Sequence, residues 1–242
     1  MNLIIGRKPV LEAIKSGEQL DKIYLLYGQK GDIIFEIIKL SRQNKIHITE
    51  LPVNKFKRIS SSTNTQGVIA LKSIQKYYSI NEIIDKAKES INPTLLILDS
   101  IQDPHNLGAI LRTAECAGIN GILITVHESA IINETVVKTS TGATEHLMIA
   151  KVSNLSQSLD ILKDNGFWII GTSLLNSKDY GELDYKMPVC VIMGNEEKGI
   201  RPAILKKCDF LVKIPLMGRL QSLNVSVAAG IILFEIIRQR KK

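Results

Sequence analysis

Three segments of the chain combine glycine or proline with side chains that can bind an anion or move a proton. Residues 99–108 read DSIQDPHNLG and lead to Arg112, residues 194–199 read GNEEKG, and the third segment runs from 214 to 230. Two glycines in the second segment let the backbone approach a ligand, with the carboxylate of Glu196 between them. Arginine binds phosphate through charge-assisted hydrogen bonds, and a carboxylate can serve as a general base. The segment 194–199 is therefore a candidate ligand-binding loop, and Asn106, Arg112 and Glu196 are candidate site residues.

Each of these side chains also has a purely structural interpretation. Asn106 can cap the helix that follows the first segment, since Asn oxygens accept from free helical N–H groups. Arg112 can pair with Glu115 one helical turn away. In the third segment, Ser222 or Asn224 can cap the last helix. The sequence leaves these alternatives open.

Several common kinds of site are excluded or disfavoured by the absence of their motifs. No Lys-Ser or Lys-Thr pair follows Gly199, and no GxGxxG occurs, which argues against P-loop nucleotide hydrolysis and ordinary NAD chemistry. The three cysteines form no CxxC pair and the four histidines form no HExxH, so we expect neither a disulfide framework nor a metal site. We interpret Cys116, Cys190 and Cys208 as buried, reduced thiols.

The length and composition are those of a folded globular protein. The chain has 242 residues, 45% hydrophobic and 23% charged, which excludes collagen-like, disordered and small disulfide-rich classes. Residues 1–22 lack a signal-peptide pattern, and charges interrupt every apolar run before the ~18 residues that a membrane span needs. We expect a cytoplasmic protein with no membrane partner.

The positive charge is concentrated in the first third of the chain. Residues 1–78 hold 13 Lys and Arg against 6 Asp and Glu, a net charge of +7, whereas residues 93–242 carry only +1. Lys and Arg that meet phosphates release condensed counterions, so this distribution favours a nucleic-acid partner. The alternative is an ordinary basic surface that binds no nucleic acid. The likeliest RNA contacts are Arg7, Lys8, Lys55, Lys57 and Arg58.

Two domains are predicted from the hydrophobic periodicity. In the first, helices at 7–16 and 32–44 alternate with strands at 22–27, 45–51 and 67–72, which indicates a compact α/β unit. The polar stretch that follows contains one short amphipathic segment and ends before Pro93. We expect a substrate domain over 1–75, a linker over 76–92 and a catalytic domain over 93–242.

The catalytic domain is predicted to be an α/β fold with a mostly parallel sheet and helices on both faces. Its strands are uninterrupted β-branched runs, which are typical of strands covered on both sides. We expect these strands at 94–99, 121–125, 167–172, 189–194 and 210–215. We expect helices at 106–116, 134–140, 155–165, 202–208 and 224–240. Ligands of such sheets lie beyond the carboxyl ends of the strands, where the three segments occur.

Taken together, the segments resemble the motifs of a known enzyme family. DPHNLGAILRTAECAG, IMGNEEKGI and IPLMGRLQSLNVSVAAGI are similar to the three motifs of the SpoU (TrmH-like) 2′-O-ribose RNA methyltransferases of the SPOUT superfamily. GRKPVLEAIKSG and NTQGVIAL resemble the small N-terminal substrate-binding domain of bacterial members, particularly the 23S rRNA guanosine-2′-O-methyltransferases. The resemblance extends over nearly the whole chain.

The resemblance implies a deep trefoil knot in the catalytic domain, with S-adenosylmethionine as the cofactor. Its implied cofactor contacts are largely backbone and apolar groups. They correspond to Thr172, Ser173, Leu174, Met193, Gly194, Gly199, Ile214, Leu216, Leu223 and Val225. The implied catalytic residues are Asn106, Arg112, Glu196, Ser222 and Asn224.

Methyl transfer to a ribose hydroxyl requires in-line positioning and removal of a proton from a weak acid. A guanidinium is a poor base because its pKa exceeds about 12, so we interpret Arg112 as a phosphate clamp. A phosphate oxygen or solvent then takes the proton, and Glu196 acts as base or orients Arg112. We expect Asn106, Ser222 and Asn224 to position the hydroxyl or brace the loops.

The last helix is apolar nearly all round, as a helix buried on two sides would be. With the family's dimers, this predicts a homodimer through the C-terminal domain, although a central helix of one large domain has the same pattern. Three alternatives for the function stay open: a tRNA methyltransferase of the same family, a non-catalytic RNA-binding relative, and a non-methylating nucleotide-binding protein.

Overall fold

The computed structural model describes residues 3–60 and 64–241 and divides into two compact units. The units are Met1–Lys76 and Tyr77–Lys242. In the described ranges no helix is both long and apolar enough to cross a membrane.

The first unit is a four-stranded mixed sheet with helices. Its strands are β1 (Leu3–Ile5), β2 (Leu20–Leu26), β3 (Ile48–Leu51) and β4 (Val68–Lys72). Its helices are α1 (Arg7–Lys15), α2 (Asp32–Gln43) and α3 (Val53–Phe56). The strand order is β1-β4-β2-β3, in which β2 and β3 are parallel and the other pairs antiparallel. Apolar faces of α1 and α2 form a core with β2 and β4, which includes Val10, Ile23 and Ile37.

Two elements of this unit were not expected from the sequence, and one strand is shorter than predicted. β1 has three half-buried residues and α3 has four, which is too few for a clear period. The strand expected at 45–51 begins at Ile48. The preceding Lys45 has φ 56°, outside the extended region that a strand requires.

The second unit is built on a seven-stranded sheet in which all neighbouring strands are parallel. The strand order is β7-β6-β5-β10-β8-β11-β9. Its strands are β5 (Thr94–Leu98), β6 (Gly121–Thr125), β7 (Ile149–Val152), β8 (Trp168–Thr172), β9 (Lys178–Asp179), β10 (Val189–Met193) and β11 (Phe210–Lys213). Its helices are α4 (Ile80–Ala87), α5 (Pro104–Cys116), α6 (Glu134–Ser140), α7 (Leu155–Asp164), α8 (Pro202–Leu205) and α9 (Val225–Arg240).

Two separate apolar cores flank this sheet, as alternate residues of each strand face opposite sides. Leu96 and Leu98 of β5 pack in the core that contains α5 and α9, whereas Leu95 and Ile97 pack in the core that contains α4 and α7. The predicted α/β class, with helices on both faces of a parallel sheet, is confirmed.

The stretch 76–92, which we expected to be a linker, belongs to the second unit from Tyr77 onward. Ser79 and Glu82 form a capping box at the start of α4, and Ile83, Ile84 and Ala87 are buried. A Cβ on Gly121 would lie 2.3 Å from Cγ2 of Ile83, so only glycine lets α4 approach β6 this closely. Burial of three apolar side chains stabilises this helix on the sheet.

β7 and β9 were also not predicted. Lys151 interrupts the apolar run of β7, and β9 is a two-residue edge strand. The trefoil knot that the resemblance implies stays a prediction.

Candidate functional site

The three segments singled out in the sequence follow β5, β10 and β11, and a fourth loop follows β8. These strands lie side by side in the order β5-β10-β8-β11 and are parallel. Their carboxyl ends therefore share one edge of the sheet, which is where ligands of parallel sheets bind.

In the first loop, the helix cap is Asp103 rather than Asn106. The Asp103 side chain accepts a hydrogen bond from the backbone N–H of His105 (2.8 Å), and Pro104 occupies the first helical position. Asn106 is the third residue of α5, where its side chain is not needed as a cap. The alternative that made Asn106 a helix cap is therefore wrong.

Asn106 instead connects the other two segments. Its amide Nδ2 donates to Glu196 Oε1 (3.1 Å), and its Oδ1 accepts from Asn224 Nδ2 (2.9 Å). A carboxylate only accepts, so the Asn106 amide has to present its nitrogen to Glu196 and its oxygen to Asn224. These three residues, Asn106, Glu196 and Asn224, form what we call the amide–carboxylate network.

Asn224 has a second role at the start of α9. Its Oδ1 accepts from the backbone N–H of Ser226 (2.9 Å) and from the Ser226 hydroxyl (2.6 Å). The capping alternative is thus confirmed for Asn224, whereas Ser222 is exposed and makes no hydrogen bond to any described residue. Since α5 packs against α9, the last loop returns Asn224 to the beginning of α5.

The second segment is a tight loop that presents Glu196. The backbones of Asn195 and Gly199 exchange two hydrogen bonds (3.0 and 2.9 Å), and Asn195 Oδ1 accepts from the N–H groups of Glu197 and Lys198 (both 3.0 Å). A Cβ on Gly194 would lie 2.3 Å from the carbonyl carbon of Gly199. Only glycine permits this closure at position 194.

An ion pair between a buried carboxylate and a half-exposed guanidinium ties this loop to the first one. Asp99 is fully buried at the end of β5, and its Oδ1 lies 2.8 Å from a terminal guanidinium nitrogen of Arg201. Asp99 Oδ2 also accepts from Arg201 Nε (3.2 Å). In addition, Asn195 Nδ2 donates to the Ser100 carbonyl (2.8 Å). Breaking this pair leaves the buried carboxylate uncompensated, so the pair holds the two loops together.

Arg112 is exposed on α5 and outside the network. Its side chain has no hydrogen bond or ion pair to any residue in 3–60 or 64–241, so the expected pairing with Glu115 is not found there. Six residues of helix separate it from Asn106, a rise of about 9 Å along the axis. The structure thus brings together three of the five predicted catalytic residues and leaves Arg112 and Ser222 facing solvent.

A cavity of about 550 Å³ lies beside the loops after β8 and β11. Its lining includes three predicted cofactor contacts, Leu174, Ile214 and Leu216, together with Asp179, Lys213, Pro215, Leu220 and Gln221. Leu174 is 59% exposed and Leu220 is 82% exposed, so part of the cavity wall is apolar surface that is accessible to a ligand.

The other predicted cofactor contacts form the frame of these loops. The Thr172 hydroxyl donates to the Ile192 carbonyl (3.1 Å), and the Ser173 N–H donates to the Val212 carbonyl (3.0 Å). The remaining five are Met193, Gly194 and Val225, which are buried, Leu223, which is 40% exposed, and Gly199, which has φ 66°. In the loop after β8, Ser177 Oγ is buried with no hydrogen-bond partner among the described residues.

The predicted RNA-binding residues occupy two places in the first unit. Arg7 and Lys8, at the start of α1, line a cavity of about 870 Å³. Lys55, Lys57 and Arg58 are exposed on α3 and just after it, where buried Phe56 anchors the helix.

The three cysteines are free thiols, but only one is fully buried as expected. Burial raises the pKa of Cys190, and it raises the pKa of the half-buried Cys208 to about 11. Cys116 is exposed at the end of α5, which the sequence interpretation did not anticipate. Across the described ranges, no group of three or more His, Cys, Asp and Glu residues has a metal-binding arrangement.

Sequence reasoning missed the residues that hold the loops together, namely Asp99, Asn195 and Arg201. Arg201 is 102 positions from Asp99, so no local pattern links them. One signal was available: Asp99 ends a fully apolar strand, and a buried carboxylate needs a partner.

Comparisons with known proteins cover both units. The sequence model of the SpoU rRNA Methylase family matches residues 93–234, and the model described as RNA 2′-O ribose methyltransferase substrate binding matches residues 3–78. A Staphylococcus saprophyticus protein named as a TrmH family tRNA/rRNA methyltransferase is 41% identical over 240 residues, covering 98% of this chain and 96% of that protein.

Two solved structures are similar over most of the chain. An AdoMet-bound rRNA methyltransferase from Sinorhizobium meliloti has a TM-score of 0.63 and 29% identity, covering 98% of this chain and 86% of that one. The TrmH/SpoU tRNA modifying enzyme of A. aeolicus has a TM-score of 0.58 and 33% identity, covering 67% of this chain and 82% of that one.

Proposed function

The chain belongs to the SpoU rRNA methylase family and is an RNA methyltransferase, and we propose that it methylates the ribose 2′-hydroxyl of a guanosine in 23S rRNA. S-adenosylmethionine is the proposed methyl donor. The observation that carries the proposal is the amide–carboxylate network, which lies at the same sheet edge as the loops after β8 and β11 that line an apolar cavity.

The residues around this cavity fit S-adenosylmethionine. Leu174, Ile214 and Leu216 offer apolar surface to an adenosine, while Asp179 and Lys213, which form an ion pair (3.8 Å), offer polar groups to the amino-acid part. In the loop after β8, near the cavity in sequence, the buried Ser177 Oγ has no hydrogen-bond partner among the described residues. When bound, the cofactor supplies an electrophilic sulfonium methyl group, so the protein has to supply position and proton removal.

Glu196 is proposed to position groups rather than take the proton. Asn106 donates to one of its oxygens (3.1 Å) and Asn195 to the other (3.4 Å), so both oxygens already have donors. The Arg112 side chain, by contrast, has no hydrogen bond or ion pair to any described residue. Its guanidinium is free to clamp an RNA phosphate and to stabilise charge on the reacting hydroxyl, while a phosphate oxygen or solvent accepts the proton.

We propose that the enzyme is a homodimer through α9. Buried residues of α9 face the second unit, yet Val227 is 51% exposed and Phe234 is 50% exposed. With the partly exposed Ile231, these residues are spaced i, i+4 and i+7 and so share one face. A second copy of the chain would cover this apolar stripe.

Residues 1–75, which lie in the first unit, are proposed to select and hold RNA, and residues 93–242 to carry out the transfer. The excess of positive charge in residues 1–78 supports this division, as does the match of residues 3–78 to a substrate-binding family model.

The test is transfer of tritium-labelled methyl from S-adenosylmethionine to unmodified 23S rRNA and, separately, to unmodified tRNA, followed by alkaline hydrolysis. A 2′-O-methyl group blocks cleavage of the next phosphodiester, so we expect the label in alkali-resistant dinucleotides of 23S rRNA. Label in mononucleotides would contradict ribose methylation. Label in tRNA alone would establish the second candidate, a tRNA methyltransferase, which the name of the A. aeolicus relative favours.

A further inference from the structure

One cavity of the first unit has a lining with an unusual hydrogen-bonding character. It has a volume of about 870 Å³ and is lined by Arg7, Lys8, Pro9, Gln29, Ile33 and Gln66. Two glutamines face a cavity whose other polar side chains are cations.

Arg7 fixes the orientation of both glutamine amides. Its backbone N–H donates to Gln66 Oε1 (3.1 Å), and its side-chain Nε donates to the Gln66 carbonyl (3.1 Å). A terminal guanidinium nitrogen of Arg7 donates to Gln29 Oε1. Arginine has donors and no acceptor, so each glutamine has to turn its oxygen toward Arg7.

The consequence is a pair of uncommitted NH₂ groups. Neither the Nε2 of Gln29 nor that of Gln66 has a hydrogen-bond partner among residues 3–60 and 64–241. With the exposed ammonium group of Lys8, the polar side chains of the cavity present only donors that remain free.

The backbone holds this arrangement in place. Gln66 has φ 49° and Gly67 has φ 74°, so the chain makes a left-handed turn at the edge of the cavity. A Cβ on Gly67 would lie 2.4 Å from Cδ of Gln29. Glycine at 67 therefore lets the Gln29 amide lie directly against the turn.

A ligand for this cavity has to offer adjacent acceptors and an apolar face for Pro9 and Ile33. Among RNA bases, guanine presents two neighbouring acceptors, O6 and N7, on one edge, whereas adenine and cytosine place an amino donor there. We propose that the cavity binds one guanine of the RNA substrate, whose O6 and N7 accept from the NH₂ groups of Gln29 and Gln66. The proposal deepens the proposed function and rests on RNA being the substrate.

The residues proposed for transfer all belong to the second unit, so this guanine serves recognition. Lys8 is placed to contact a phosphate of the same strand, which would add affinity without base preference.

The test measures binding of the full chain to the RNA heptamers AAAGAAA and AAAAAAA. The wild-type protein should bind the first about tenfold more tightly, as expected for one well-made pair of base contacts. Replacing the guanine by 7-deazaguanine removes the N7 acceptor and should abolish most of the preference. Replacing it by hypoxanthine keeps O6 and N7 and should leave the preference intact.

The informative variant is Gln66→Glu, because a carboxylate still accepts from Arg7 but no longer donates to a base. It should lose the preference for guanine. The matched control is Gln43→Glu, which adds the same charge at an exposed position of the same unit and should retain the preference. Circular dichroism and unfolding midpoints verify that both variants are folded.

Several outcomes would overturn the guanine site. The first is equal affinity of the wild-type protein for the two heptamers. The second is the same preference for guanine in Gln66→Glu and Gln43→Glu. The third is an equal loss of affinity for both heptamers in Gln66→Glu, which would indicate a phosphate site. Methyl transfer is scored separately with the labelled assay. Transfer without a guanine preference refutes only this inference, and a guanine preference without transfer refutes only the proposed function.

Discussion

Asn106 provides the sharpest test of the amide–carboxylate network, because the two explanations of this residue predict opposite rankings of its variants. If Asn106 acted through the helix start alone, Asp would be as good as Asn, since a negative charge in the first turn of a helix is favourable by about 0.3 to 1 kcal/mol. In the network, Asn106 donates to the carboxylate of Glu196. Asp in that position would replace a donor by a second carboxylate.

The magnitude follows from the two hydrogen bonds. Asn106→Ala removes a bond to a charged acceptor (3.1 Å) and a neutral bond from Asn224 (2.9 Å). Since Asn106 and Glu196 are both partly exposed, water recovers part of the loss, and we expect the free energy of unfolding to fall by about 1 to 2 kcal/mol. Asn106→Asp adds repulsion between carboxylates, which is about 4 kcal/mol at 4 Å and an effective dielectric of 20 before relaxation and solvent screening. We expect Asp to be less stable than Ala by about 1 kcal/mol.

The assay is urea unfolding followed by the fluorescence of Trp168, the single tryptophan, which lies in β8 and so reports the second unit. The matched control is Asn154, whose side chain caps α7 by accepting from the Gln157 N–H (3.1 Å). Asn154→Asp should leave the free energy of unfolding nearly unchanged, whereas Asn154→Ala should lower it by about 1 kcal/mol. Methyl transfer should fall by about 100-fold in both Asn106 variants, because Glu196 loses its main donor.

The stability and activity of Asn106→Asp relative to Asn106→Ala decide between the network and the helix-start explanation. If Asn106→Asp is as stable and active as the parent chain while Asn106→Ala is not, the network account is refuted. High salt should reduce the difference in unfolding free energy between Asn106→Asp and Asn106→Ala, since repulsion between partly exposed charges is screened.

The remaining predictions address the other proposed residues and partners. Arg112→Ala should lower methyl transfer by at least about 1000-fold but change the unfolding free energy by less than about 0.5 kcal/mol, because Arg112 is exposed; near-parental activity would contradict the phosphate clamp. A strong chelator should leave transfer unchanged once RNA folding is controlled, and recovery of lost activity by Mg²⁺ would refute metal independence. Replacing Lys55, Lys57 and Arg58 by Ala should make the fall of log RNA affinity with log salt shallower by roughly 2 to 3, and an unchanged slope would show that these cations only face solvent. The matched control replaces three exposed cations of the same unit, Lys39, Arg42 and Lys45. Phe234→Glu should convert a dimer to a monomer by light scattering, and a parent chain that is a fully active monomer at micromolar concentration would remove the dimer proposal.

Much of the fold could be predicted because the strands of a parallel sheet carry a strong local signal. The five apolar runs expected in the second unit are strands β5, β6, β8, β10 and β11, each within two residues of its predicted ends. The missed strands lack an uninterrupted apolar run of their own, although β7 is buried on both faces. β1 and β9 are short edge strands, and β7 at the other edge contains a lysine.

The site was only partly predictable, since side-chain partnerships are set by tertiary structure. Sequence reasoning found Asn106, Glu196 and Asn224 but offered a cap as the alternative for Asn106. A local signal for the true cap was present, because Pro104 favours the first helical position and so identifies the residue before it as the cap. No comparable signal exists for Asp99 and Arg201, which only the fold brings together.

The hydrogen-bond inventory divides the polar residues of both units into groups that hold the structure and groups that remain free for RNA. In the second unit, the side chains of Asn106, Glu196 and Asn224 satisfy one another, so binding substrate through them would require breaking native bonds. Substrate can bind the guanidinium of Arg112 without breaking a hydrogen bond to any described residue. In the first unit, Arg7 donates to the side-chain oxygens of two glutamines, whose NH₂ groups then have no partner among the described residues. A donor that is fixed and unpaired before binding loses little conformational entropy when an acceptor arrives. Specific recognition is therefore expected from the fixed glutamine amides, whereas long exposed cations such as Lys55 contribute charge without selectivity.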